Sequence, residues 1–327
     1  FGLRDAIESR RHHPRELIDG FILQDGILAH SHDGVFEEDP IRILRIFRIA
    51  QQHRARLHPD LEALVEDKFF LLIVEDPWPK PLQNCFRSIL QEAGRVYPIL
   101  AKMHDTGVLG HLIPEFGRLT CLVQHEFFHR YTADIHTLDT IRHLDEIFQK
   151  KERPFTTYLE AIHKTDHPTL LYLILLLHDI GKADGIKGHD HQGRILAEPI
   201  LERIGIPVNQ RSQILFIIEN HLEMARFWQK FDLDDPVTIQ SFADLTENRT
   251  QLVYLYTHTY CDARGTEESL WNNYKQSLHD MLYHRTLAAL EDSRDPEQEE
   301  REQRIMIEQD LFSRPIAQDL SREEVAA

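Results

Sequence analysis

The chain has 327 residues, of which 42% are hydrophobic, so it can bury one or two substantial cores and is not globally disordered. Its 54 acidic residues outnumber 37 basic ones, and the resulting net charge of −17 argues against a protein that binds nucleic acid through the phosphates. The longest apolar run, 170–177, stops at His178 and is far shorter than the roughly 20 residues of a membrane span, so we expect no membrane insertion.

The three cysteines indicate a reducing compartment. Cys85, Cys121 and Cys261 are far apart in the chain, and at least one of them is unpaired under any disulfide scheme. We therefore expect a cytoplasmic location. The chain begins at Phe1 without Met, which leads us to expect a piece of a longer protein.

The spacing of apolar residues predicts an all-α protein, because most segments repeat them at intervals of three and four. One exception comes early in the chain. Over 20–30, two short apolar runs flank the dipeptide Asp25-Gly26, which is a common turn between antiparallel strands. The sequence therefore predicts one short N-terminal hairpin in a helical protein.

Two further features help to place the later elements. Ile43, Phe47 and Ala50 predict a helix after Asp39 and Pro40, with Asp39 at the cap and Pro40 at the first helical position. The stretch 185–193 is polar and rich in glycine, and it predicts a loop between two helices.

One His-Asp dipeptide differs from the other four copies in the chain. His178 and Asp179 directly follow the fully apolar run 170–177 and precede Gly181. They should therefore emerge from the core at the end of a helix.

Polar residues also interrupt the apolar faces of other predicted helices. His221 shares the inward face of a helix over 212–228 with Ile214 and Ile218. His136 lies at the flank of the apolar stripe in a helix over 135–148. A single inward histidine is more often a hydrogen-bonded core residue than a ligand, so neither residue is informative alone.

Asp262 carries more weight because its helix face contains Leu255 and Thr259. A buried carboxylate without a partner costs several kcal/mol, so Asp262 needs a cation, either a side chain such as Arg264 or a metal. Imidazoles and carboxylates are together the ligands of divalent metals. Periodicity does not show that the helices bring these residues together.

The order of these residues resembles the HD superfamily of metal-dependent phosphohydrolases, whose pattern of one His, a His-Asp pair and a late Asp is matched by His136, His178-Asp179 and Asp262. The resemblance is narrower still. Segments around these residues are similar to the HD domain of bacterial P-II uridylyltransferase/uridylyl-removing enzymes, and two upstream segments resemble the helical region before that domain. The segments are 129–137, 220–222, 262–266 and 270–272, and upstream 36–47 and 106–117.

This resemblance implies an HD-domain helical bundle over 121–290, preceded by a smaller helical region over 1–120 that is the remnant of a nucleotidyltransferase part. An acidic linker follows over 291–327. The family's transferase signature, Gly-Ser followed by a paired Asp-x-Asp, has no counterpart, because the chain contains no Gly-Ser dipeptide. We expect the transferase and the glutamine-sensing domains of the parent protein to be missing from this chain.

The resemblance also implies the ligands of one or two divalent ions. Mn or Mg is the first expectation, while Fe, Co or Zn would also suit the ligand types. Asp179 has two oxygens and can bridge two ions, and His189 is an alternative to His191. The implied ligands are His136, His178, Asp179, His191, His221 and Asp262.

The implied reaction is hydrolysis of the bond between UMP and a tyrosine of the uridylylated P-II signalling protein, which is the expected partner. Asp179 would be central to catalysis, while Lys182 and Arg264 would neutralise phosphate charge, or Arg264 would pair with Asp262. One alternative is an HD hydrolase of a small nucleotide such as guanosine tetraphosphate, or of a cyclic phosphodiester, although the upstream segment argues against it. The other is a module that binds nucleotide or P-II without turnover.

Overall fold

The computed structural model describes residues 15–123, 131–267 and 271–292. Within these ranges the chain is a helical protein with one small sheet, as the sequence predicts. His129 and Leu270, which belong to the family-like segments, lie outside the described residues, as does nearly all of the predicted acidic linker. None of the helices in the described ranges is long and apolar enough to cross a bilayer.

The sheet has four short strands in the order β1-β2-β3-β4. The predicted hairpin is confirmed, because β2 and β3 pair antiparallel and both turn residues, Asp25 and Gly26, have positive φ. β1 also pairs antiparallel with β2, whereas β4 pairs parallel with β3. β1 and β4 are too short to show a period of two in the sequence. The strands are β1 Glu16–Ile18, β2 Phe21–Gln24, β3 Ile27–His30 and β4 Arg56–Leu57.

The helices that surround this sheet form the first helical region. The second of them begins at Arg42 and not at Pro40, because Asp39 accepts a hydrogen bond from the Ile41 N–H (3.3 Å) and so closes a turn before the helix. These helices are α1 Val35–Glu38, α2 Arg42–His53, α3 Pro59–Lys68, a 3-10 turn Phe69–Leu71, α4 Lys80–Leu90, α5 Tyr97–Asp105, α6 Val108–Leu112 and α7 Pro114–Gly117.

The remaining helices build the second region. The predicted loop over 185–193 ends earlier, because a helix already begins at His189, and the helix predicted over 212–228 is two helices that meet at His221. The helices are α8 Ala133–Gln149, α9 Phe155–Ile162, α10 Leu170–Leu177, a 3-10 helix Ile180–Asp184, α11 His189–Arg203, α12 Val208–Asn220, α13 Glu223–Lys230, α14 Pro236–Thr246, α15 Arg249–Thr266 and α16 Asn273–Asp292.

Helix α10 is the centre of this second region. All of its residues are buried, and it packs against α8, α12 and α15. α8 and α15 approach each other closely at Gly265, where a Cβ atom would lie 2.8 Å from Cγ2 of Thr140. This packing brings the first turns of α8, the end of α10 and the last turns of α15 to one place.

Asp145 of α8 joins the two regions. Its carboxylate accepts hydrogen bonds from the backbone N–H groups of Val96 (3.2 Å) and Tyr97 (2.8 Å) and from the hydroxyl of Tyr172 (2.6 Å). Burial outweighs these bonds and raises the pKa of Asp145 to about 6. The Tyr172 hydroxyl in turn accepts from the N–H of Gly94 (2.7 Å), so one buried network ties α10 to the first region.

Candidate metal centre

Three predicted ligands meet where α8, α10 and α15 converge. The Nε2 atom of His136 lies 2.9 Å from Oδ1 of Asp262, and Nε2 of His178 lies 3.6 Å from the same oxygen. His136 and His178 are buried, whereas the Asp262 side chain is 24% exposed. We call His136, His178 and Asp262 the first ligand group.

A second group of three lies beside it and consists of Asp179, His189 and His221. Oδ1 of Asp179 is 3.4 Å from Nε2 of His189 and 4.0 Å from Nε2 of His221. The two imidazoles face each other, with their Nε2 atoms 3.3 Å apart. All three residues are buried, so this group is closed to bulk water on most sides.

Asp179 connects the two groups through its two oxygens. Oδ2 lies 3.3 Å from Nε2 of His178 and 3.5 Å from Nε2 of His136, whereas Oδ1 faces His189 and His221. A carboxylate in this position can bridge two cations. The arrangement therefore suits one ion in each group with Asp179 between them.

Backbone carbonyls set the orientation of three of the histidine rings. The Nδ1 atoms of His178, His189 and His221 each lie within 2.7 to 2.8 Å of the carbonyl oxygen three residues earlier. Nδ1–H therefore donates, and Nε2 is the atom that points into the site and can offer a lone pair to a metal. His178 and His221 directly follow α10 and α12, where helix carbonyls lack an intrahelical partner. The acceptors are Leu175, Ile186 and Ile218.

The donor atoms fit a divalent metal. Two Nε2 lone pairs 3.3 Å apart, in His189 and His221, repel each other unless a cation lies between them. Metal–ligand bonds of about 2.1 Å place neighbouring ligand atoms about 3.0 to 3.5 Å apart, and the separations within the two groups, from 2.9 to 4.0 Å, lie around that range. Imidazole and carboxylate together accept several divalent ions, so the ligand set does not select one.

Charge in the site is balanced around Asp179. Burial alone would raise the pKa of Asp179, but the charges of His178 and Lys182 hold it well below its ordinary value. Burial alone would lower the pKa of His178, but the carboxylates of Asp179 and Asp262 raise it to about 10. The Nζ atom of Lys182 is buried and lies 2.6 Å from Oδ2 of Asp179. A metal that binds here must displace the proton on His178.

His258 is a part of the site that the sequence reasoning missed. Its buried ring lies 4.9 Å from the His178 ring and 5.4 Å from the His221 ring, centroid to centroid. Burial and the charge of His178 keep its pKa well below the ordinary value, and neither ring nitrogen has a hydrogen-bond partner among the described residues. The signal was its spacing, because His258 precedes Asp262 by one helical turn on α15.

The structure places His189, and not the predicted His191, in the second ligand group. His191 is 66% exposed, and its Nδ1 lies 3.2 Å from Oε1 of Glu219. Because α11 begins at His189, two residues of helix turn His191 about 200° away from it. Gly181 has no side chain, and this allows α11 to pack close to the site. A Cβ atom at Gly181 would lie 2.6 Å from the Gly193 nitrogen and still closer to the His189 carbonyl oxygen.

The structure also shows where the side chains of two other predicted residues lie. His136, expected at the flank of its helix, is buried, while Ile135 of the predicted apolar stripe is 41% exposed. Arg264 does not line the cavity that opens at Asp262. Arg264 lies two residues after Asp262 on α15, so the two side chains point about 200° apart around the helix axis. Arg264 therefore lines a neighbouring cavity together with Arg153.

Comparison with known proteins agrees with this architecture. Residues 133–249 match the model of the HD domain, and residues 21–112 match that of the third domain of the uridylyltransferase GlnD. The helical fold and the histidine–aspartate centre thus define an HD domain. The chain carries the HD domain and the preceding third domain of the bifunctional uridylyltransferase/uridylyl-removing enzymes.

The similarity to individual relatives extends over most of the chain. The bifunctional uridylyltransferase/uridylyl-removing enzyme of Ectopseudomonas mendocina is 33% identical over 278 residues, which cover 83% of this chain and 30% of that protein. The enzyme of the same name from Caulobacter vibrioides is 32% identical over 280 residues, covering 85% and 30%. The chain therefore spans about 30% of the length of these relatives.

Solved structures resemble the chain only distantly. A tRNA-processing enzyme matches with a TM-score of 0.49 and 18% identity, covering 80% of this chain and 64% of that one. A CCA-adding enzyme in complex with CTP matches with a TM-score of 0.46 and 15% identity, covering 79% and 50%. Similarities at this level say nothing about the reaction of this chain.

Proposed function

We propose that the chain is a metal-dependent phosphodiester hydrolase that removes UMP from the uridylylated tyrosine of a P-II signalling protein. The observation that carries this proposal is the position of Asp179 between two groups of metal-type ligands. The names of the relatives include a uridylyl-removing activity, and the third-domain match favours this substrate over a small nucleotide.

The first ligand group and the second would each hold a divalent ion, with Mn or Mg as the expected metal. Such ions act as Lewis acids on a phosphoryl oxygen and make water acidic enough to attack at neutral pH. Asp179 would hold both ions through its two oxygens, and Lys182 would keep that carboxylate ionised and in place. Arg264 would neutralise phosphate charge only from the neighbouring cavity that it lines.

The leaving group requires little further help from the protein. Hydrolysis would release a tyrosine phenol, whose ordinary pKa of about 10 makes the phenolate a fair leaving group. The catalytic requirement therefore falls on holding the phosphodiester against the two ligand groups. A general acid is therefore not needed to protonate the leaving group in this reaction.

The test is release of UMP from uridylylated P-II with Mn²⁺. Asp179→Asn keeps the size of the side chain but removes the bridging charge, so UMP release should fall at least about a hundredfold. Asp105→Asn is the matched control, because it changes the exposed Asp of another His-Asp dipeptide, on α5, and should leave the rate unchanged. An active Asp179→Asn variant would contradict the proposed role of Asp179.

Two further outcomes separate the proposal from its alternatives. Wild-type protein that binds uridylylated P-II without releasing UMP would favour a binding module. Hydrolysis of guanosine tetraphosphate or a cyclic phosphodiester in place of the P-II conjugate would favour a small-nucleotide hydrolase with the same ligand groups.

A further inference from the structure

A cavity of about 400 Å³ opens beside the metal centre. Its wall includes Asp262 from the first ligand group and His221 from the second, so a molecule in the cavity borders both groups. The volume lies at the lower end of the roughly 300 to 1,000 Å³ typical of small-molecule sites. We call this cavity the tryptophan pocket after Trp228 and Trp271, which line it.

The two tryptophans give the pocket rigid aromatic walls. Their ring centroids are 6.3 Å apart and the planes are nearly perpendicular, at 89°. Trp271 is held by a hydrogen bond from its Nε1–H to Oε1 of Gln276 (2.7 Å) and by an edge contact with Tyr260 at 5.5 Å. A fixed indole offers a flat surface on which a nucleobase stacks without loss of side-chain freedom.

The polar groups of the pocket match a pyrimidine with two carbonyls and one N–H. Gln229 can both donate and accept, and Lys275 donates. Asp262 is the one carboxylate among the described lining residues.

We propose that the tryptophan pocket binds the uridine of the departing UMP. This assignment rests on the proposed function, in which the scissile phosphodiester joins uridine to a protein tyrosine. The uridine is the part that a concave pocket can enclose, whereas the tyrosine remains attached to its protein and approaches from the open side. The pocket then gives the hydrolase a preference for nucleotidyl esters over other phosphodiesters.

Binding of three phosphomonoesters to the Mn²⁺-loaded protein tests this proposal by calorimetry. UMP, ribose 5-phosphate and phenyl phosphate carry the same type of phosphate, so differences between them report on the pocket and not on the metals. UMP should bind at least about tenfold more tightly than ribose 5-phosphate, since one base stacked on an aromatic side chain contributes about that factor.

Two substitutions locate the effect. Trp271→Leu should remove most of the preference for UMP over ribose 5-phosphate, and Gln229→Ala, which changes an exposed residue and spares the fold, should reduce it severalfold. Lys230→Ala is the matched control, because Lys230 is the next exposed residue on α13 and does not line the pocket. It should retain the full preference.

Equal affinity for UMP and ribose 5-phosphate would overturn the proposal. Phenyl phosphate that binds as tightly as UMP, and loses this binding in Trp271→Leu, would also overturn it, because the pocket would then hold the tyrosine ring. A parallel assay of UMP release from uridylylated P-II separates the two proposals. If the protein releases UMP but binds UMP no more tightly than ribose 5-phosphate, only the pocket assignment is refuted. If it binds UMP more tightly but releases none from uridylylated P-II, only the proposed reaction is refuted.

Discussion

Nε2 of His189 lies 3.4 Å from Oδ1 of Asp179, on the opposite side of that carboxylate from His178. His189 thereby completes a second set of three ligand atoms, with Asp179 and His221. The neighbouring His191, on the same helix, turns away toward Glu219. Substitution of His189 should therefore weaken metal binding, whereas substitution of His191 should not.

His189→Ala should remove one of the two proposed ions, because only Asp179 and His221 would remain in that group. Titration with Mn²⁺, followed by calorimetry or elemental analysis, should show half the wild-type metal content or a strongly weakened second site. His191→Ala is the control and should bind as wild type does, because its exposed ring contacts Glu219 and not the site. Equal losses in both variants would mean that the second ligand group is incorrectly assigned.

Gly181→Ala should destabilise the protein and weaken metal binding together. The added Cβ atom would lie 2.6 Å from the nitrogen of Gly193, so α11 would have to move and carry His189 with it. Overpacking of this kind costs typically about 1 to 3 kcal/mol. Urea unfolding measures the first effect and Mn²⁺ titration the second.

Gly34→Ala serves as the comparison for that substitution. The nearest atom to a Cβ there is 3.5 Å away, which is ordinary contact, and the backbone φ of −84° suits alanine. Its stability and metal binding should stay near those of wild type. A Gly181→Ala protein with unchanged metal affinity would show that α11 does not need this close approach to present His189.

The site was predictable where periodicity alone determines which way a side chain points. His178, Asp179, His221 and Asp262 interrupt or end apolar helix faces, and the structure brings all four into the two ligand groups. The choice between the histidines near 190 was different. Which of His189 and His191 faces the site depends on where α11 begins. The close packing of α11 against Gly181 is a tertiary contact, and the local sequence pattern does not encode it.

The fold shows the same division. The helical class and the turn at Asp25-Gly26 follow from local pattern, whereas the parallel pairing of β3 with β4 joins segments separated by two helices. His258 was overlooked because every position from Gln251 to Cys261 of α15 is buried, so the helix has no polar face against which an inward histidine stands out.

The buried network at Tyr172 should contribute measurably to stability. Tyr172→Phe removes the hydrogen bond to Asp145 and leaves the Gly94 N–H without its acceptor, so the free energy of unfolding should fall by about 1 to 3 kcal/mol. Tyr274→Phe, at a side chain that is 72% exposed, should change it by less than about 0.5 kcal/mol. Equal stabilities of the two variants in urea would exclude a role of this network in holding the two regions together.

His279, which lies outside the ligand groups, should limit the stability of the protein in acid. Its ring is fully buried against Tyr256, and Nε2 lies 2.9 Å from the Tyr256 carbonyl oxygen. Burial lowers the pKa of His279 to about 3, although the bond to that carbonyl acts in the opposite direction. The native protein therefore keeps this ring neutral while the unfolded chain protonates it below about pH 6.5.

Because the unfolded state then binds the extra proton, stability should fall as the pH drops from about 6.5 toward 3. Between pH 7 and pH 5 this group alone accounts for about 2 kcal/mol, at 1.36 kcal/mol per pH unit. His279→Gln can still donate to the Tyr256 carbonyl but does not titrate, so its stability should fall less over this interval by about that amount. The histidines of the metal centre are present in both wild type and His279→Gln, so their contributions cancel in the difference between the two stability profiles. The exposed His284→Gln should follow wild type, and identical pH profiles for wild type and His279→Gln would show that His279 is not the buried neutral ring described above.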